Sequence, residues 1–80
     1  MSTAGKIVEW RAPAQARQQP WKASDGEGFI RAENYLGDLY FELANVTEGE
    51  PKVGARVEFK PVIDPNDEFD REAVQVKVIG

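Results

Sequence analysis

The chain has 80 residues, 41% of them apolar and 30% charged, and a net charge of −4. That fits one small folded domain over residues 1–80 and leaves no room for a second core. It contains neither cysteine nor histidine, which excludes disulfide staples, thiolate or imidazole chemistry, ordinary zinc sites and serine–histidine pairs, so no enzyme, metal or small-molecule cofactor is expected.

No apolar run approaches the ~18 residues of a membrane span. The first ten residues lack the basic start and apolar stretch of a signal peptide, so a cytoplasmic chain away from membranes is expected. Charge is unevenly spread: residues 1–23 carry Lys6, Arg11, Arg17 and Lys22 against Glu9 alone, a net +3, whereas residues 24–80 carry −7. The acidic average argues against strong non-specific nucleic-acid binding, while a local basic segment can still contact phosphates.

In chain order, Lys6-Ile7-Val8-Glu9-Trp10 is a β-branched and aromatic run that predicts a first strand. Residues 13–19 have no apolar stripe and are closed by Pro20, so they add at most a solvated turn to a long first loop. Gly28-Phe29-Ile30-Arg31-Ala32 reads as a second strand and Asp38-Leu39-Tyr40-Phe41-Glu42-Leu43 as a third, with Asn34-Tyr35-Leu36-Gly37 as a tight hairpin link. Residues 47–52 form a Gly/Pro/charge loop. Arg56-Val57-Glu58-Phe59-Lys60 alternates strictly and predicts a fourth strand. After the turn signal Asp64-Pro65-Asn66-Asp67, residues 73–78 place Val74, Val76 and Val78 on one face and Gln75 and Lys77 on the other, a fifth strand.

Five short strands in so small a chain predict an all-β fold, a five-stranded antiparallel barrel of the OB type, because closure removes the edges that an open sheet would expose. The expected core includes Ile30, Leu39, Phe41, Val57, Val74 and Val76.

These segments together resemble the cold-shock domain family. Gly5-Lys6-Ile7-Val8-Glu9-Trp10 is similar to the family's opening strand ending in tryptophan, with one extra residue. Gly26-Glu27-Gly28-Phe29-Ile30 is similar to its first nucleic-acid-binding motif, and Asp38-Leu39-Tyr40-Phe41-Glu42-Leu43 to its second. Residues 53–59 and 73–76 resemble its closing strands. The chain departs from the pattern at Glu27, where the family carries an aromatic, at Glu42, where it carries histidine, and in the lengthened first loop. It is thus similar to a divergent, non-canonical member.

The resemblance implies a module for single-stranded RNA or DNA that stacks bases on outward aromatics while cations track phosphates. Alternation turns Glu27, Phe29, Arg31, Tyr40 and Glu42 outward, and Phe29, Tyr40 and Trp10 are expected to form the stacking platform. Lys6, Arg11, Lys22 and Arg31 are the expected phosphate contacts. Trp21, in the long loop, either joins the site as a stacking arm or folds back onto the barrel; the sequence leaves both open. Weak binding is expected, because Glu27 and Glu42 repel phosphate. An alternative is a protein-interaction or regulatory domain whose acidic surface meets a basic partner, including by imitation of nucleic acid.

Other patterns dissolve on inspection. Asp64, Asn66, Glu68, Asp70 and Glu72 alternate like calcium-loop ligands, but Phe69 and Gln75 occupy the positions that need glycine and a bidentate carboxylate. Asn45-Val46-Thr47 is a glycosylation triplet without a secretory context. Glu48 and Glu50 are read as solvated loop carboxylates.

Overall fold

The computed structural model describes residues 2–11, 26–35 and 37–80, and for 68–70 the backbone alone. The described residues contain no α-helix. They form β1 (Thr3–Arg11), β2 (Glu27–Arg31), β3 (Asp38–Glu42), β4 (Val46–Glu48), β5 (Arg56–Asp64) and β6 (Asp67–Val78), with one 3₁₀ turn at Leu43–Asn45.

Strands β1, β2, β3, β6 and β5 close in that order into a five-stranded barrel, and β4 adds to the far side of β6. Most pairings are antiparallel, as expected. Two are parallel: β3 meets β6 at Tyr40↔Glu72, which closes the barrel, and β4 meets β6 at Val46↔Val76. The short β4 was not legible in sequence, since three half-exposed or exposed residues carry no alternation. The link between β2 and β3 is also longer than the expected tight hairpin. It runs from Ala32 to Gly37, turning where the Tyr35 N–H donates to the Ala32 carbonyl at 3.2 Å.

At the other hairpin the Asp64 carboxylate accepts the Asn66 N–H at 2.8 Å, the local bond that makes Asp a turn former. Beyond Phe59, β5 has no partner except β6 among the described residues. The Arg56 carbonyl faces β6, where it accepts the Ile79 N–H, so alternation turns the backbone of Pro61 toward the free edge, where its missing donor breaks no ladder bond.

Ile7, Ile30, Leu39, Phe41, Val57, Phe59 and Val76 are fully buried, joined by Ala32, Ala55 and Ala73. Five of the six expected core residues are among them. Val74 is only half-buried, because an extra residue interrupts the β5–β6 ladder between the pairs Glu58↔Lys77 and Lys60↔Val74. Gln75 absorbs it with φ 50°, so Ala73 and Val76, three apart, both point inward, and Val74 turns out beside Lys60.

Candidate nucleic-acid interface

The outer face of β1, β2 and β3 is ordered by register. Directly paired residues on neighbouring antiparallel strands point to the same side, so the pairings define three rows: Lys6–Arg31–Asp38, Glu9–Phe29–Tyr40 and Arg11–Glu27–Glu42. Neighbours within a row stand about 5 Å apart across the sheet, and successive rows about 7 Å apart along the strands. One end of this face is cationic, the middle aromatic, and the far end dominated by carboxylates.

Phe29 and Tyr40 stand side by side as expected, with ring centroids 5.8 Å apart and planes at 66°. Trp10 does not join them. Strict alternation from the buried Ile7 would turn Trp10 outward, but the β1–β2 register slips between Ile7 and Glu9, leaving Val8 as a bulge residue. Glu9 then faces outward opposite Phe29, and Trp10 faces inward opposite Gly28. There its ring stacks on Phe41, with centroids 5.5 Å apart and planes at 16°. Gly26, just before β2, and Gly28 within it both serve this packing. A Cβ on Gly26 would lie 2.8 Å from the Trp10 ring, and one on Gly28 would strike the Glu9 carbonyl and the Phe41 ring. The platform therefore holds two aromatics, not three, and a carboxylate takes the third place.

The phosphate contacts divide in the same way. Arg31 is exposed and pairs with Asp38 at 3.1 Å, while Lys6, opposite it, makes no ion pair among the described residues. A groove of about 550 Å³ runs along these two cations and includes Thr3 and Asn34 in its wall. Arg11 lies at the acidic end, tied to Glu9 at 3.3 Å and opposite Glu27, so it is removed from Lys6 and Arg31. Trp21 and Lys22 lie outside the described residues.

At the acidic end Glu27 and Glu42 face one another directly, and the Tyr40 hydroxyl lies 3.0 Å from a carboxylate oxygen of each. A phenol carries one proton, so it donates to one carboxylate at a time. Desolvation, reinforced by the two acceptors, pushes the Tyr40 phenol well above its usual range. The hydroxyl is held against the sheet, while the ring remains beside Phe29.

Two residues of this face escaped the sequence reading. Glu9 was hidden by the bulge. Arg56 is exposed on β5 directly opposite Lys6, and alternation shows its outward direction but not which strand lies beside it. No protein-family model matches the chain, and no curated protein matches it in sequence.

Proposed function

We propose that this closed barrel is an OB-type, cold-shock-like module that binds single-stranded RNA or DNA weakly, stacking bases on Phe29 and Tyr40 while Lys6 and Arg31 take the phosphates. The observation that carries this reading is the outward aromatic pair of β2 and β3, flanked on the same face by two exposed, directly paired cations of β1 and β2. Large rings that face outward on a sheet supply stacking surfaces for any base, worth about 1–3 kcal/mol each. Two rings and few cations make the weak binding expected of a face that also carries Glu9, Glu27, Glu42 and Asp38.

A second reading is favoured by the paired carboxylates Glu27 and Glu42: the face meets a basic protein partner through that end. One double variant separates the two. Glu27→Phe with Glu42→His supplies a third ring and removes two negative charges, so oligonucleotide affinity should rise more than tenfold if the face stacks bases. Fluorescence anisotropy of labelled oligo-dT and mixed RNA at low salt reads this. An unchanged oligonucleotide affinity with loss of a basic partner from pull-downs would favour the second reading instead.

A further inference from the structure

Lys6 is the one residue of β1 paired on both sides, with Arg31 in β2 and with Arg56 in β5. Three exposed cations therefore stand in one row across three strands, about 5 Å from strand to strand, well inside the ~10 Å over which salt screens charge. Like charges placed directly opposite destabilise a sheet, and this row contains two such juxtapositions. Acids are not scarce in the chain, which has 14 of them against 10 cations. Yet of the three only Arg31 has an acidic partner, Asp38, among the described residues. The row continues the face of Phe29 and Tyr40 onto β5 and keeps to the side away from Glu27 and Glu42.

We propose that Arg56, Lys6 and Arg31 form a ladder that carries the phosphodiester backbone of a bound single strand across β5, β1 and β2. This rests on the single-strand reading above and deepens it by fixing the path. The backbone crosses perpendicular to the strands, its phosphates over the three cations, and its bases lean along β2 and β3 onto Phe29 and Tyr40. Phosphates cannot shift to the other side of the aromatic pair, because the carboxylates of Glu27 and Glu42 stand there. Beyond Arg31 the row ends in Asp38, so the cationic path extends toward β5 and not past β3.

Salt dependence counts the phosphates engaged, with a slope of about −0.7 in log K against log salt per neutralised phosphate on a single strand. Anisotropy titrations of labelled oligo-dT at several salt concentrations should give about −2 for the wild-type chain. Arg56→Gln should weaken binding at low salt and reduce the slope by about 0.7, whereas Arg56→Lys should restore it. Phe29→Ala should weaken binding at every salt with the slope unchanged. Both positions are exposed or half-exposed on strands, and thermal melting checks that each variant folds.

The ladder is overturned if Arg56→Gln binds with wild-type affinity and slope while Lys6→Gln does not, since the backbone then never reaches β5. It is equally overturned if heparin competes with an unchanged slope and Phe29→Ala has no effect, which marks a general polyanion patch. Failure of the wild-type chain to bind any single strand would remove the single-strand reading itself, an outcome distinct from an unaltered Arg56→Gln.

Discussion

Trp10 lies on Phe41 with its ring 5.5 Å away and nearly parallel, on the inner side of a strand whose simple alternation would have turned it to solvent. The contact packs Trp10 against the core and leaves Glu9 as the β1 neighbour of Phe29. The tryptophan expected on the stacking platform thereby packs on the core side of the strand. Trp10→Ala should cost about 2–3 kcal/mol, below the 3–5 typical of a fully buried tryptophan because this one is half-buried. Urea unfolding measures the loss. Oligonucleotide affinity, extrapolated to the folded fraction, should be unchanged.

The converse substitution tests the platform. Glu9 is outward and directly paired with Phe29, so Glu9→Trp places a third ring in the aromatic row and removes a carboxylate. Single-strand binding should tighten by at least fivefold, the lower end of the stacking contribution of about 1–3 kcal/mol. Anisotropy titration beside Trp10→Ala shows which of the two positions faces the ligand.

Glu27 and Glu42 are directly paired like charges at the far end of the face. Directly opposite like charges destabilise a strand pair by up to about 1 kcal/mol. Glu27→Gln keeps an acceptor for the Tyr40 hydroxyl and removes one charge, so it should raise the melting temperature. Sodium chloride should narrow the difference from wild type, because screening weakens the repulsion that the variant abolishes.

Tyr40 predicts an alkaline limb. In the unfolded chain a phenol ionises near pH ~10, whereas burial and the flanking carboxylates keep Tyr40 protonated in the fold well beyond that. Its contribution is fully present below pH ~10. Above it the unfolded state has released a proton that the native state retains, so stability falls as pH rises. Tyr40→Phe should flatten this limb in melting curves taken at rising alkaline pH, and phenolate absorbance should show one tyrosine fewer ionising in the native wild-type protein than in the unfolded wild-type chain.

Gln75 holds a left-handed backbone, φ 50°, at the bulge of β6. Glycine adopts that conformation freely, and a β-branched residue strongly resists it. Gln75→Gly should leave stability equal or raise it by up to about 1 kcal/mol, and Gln75→Val should cost about 1–2 kcal/mol. Denaturant midpoints of the two variants decide whether the bulge is held by the barrel or by this residue.

The amino-acid pattern determined the β class, the position of the main strands, the turn at Asp64–Asp67 and the inward set of Ile30, Leu39, Phe41, Val57 and Val76. These follow from local chemistry: period-two alternation, β-branched runs and an Asp–Pro–Asn turn need no knowledge of a neighbour. The outward direction of Phe29, Arg31 and Tyr40 followed from the same alternation, because β2 and β3 pair without a break from Glu27↔Glu42 to Arg31↔Asp38.

Only the tertiary structure decided where alternation fails and which strands are neighbours. At Val8 and at Gln75 one extra residue is absorbed as a bulge, and a single unpaired residue puts the alternation on its two sides out of phase, so that Trp10 faces inward beyond Val8 and Val74 outward before Gln75. The sequence shows five residues in a row but not which of them the partner strand skips. The cationic row is hidden for a related reason. Arg56 and Lys6 are 50 positions apart, and their meeting depends on the register that closes β1 against β5, a property of the whole barrel and of neither strand alone.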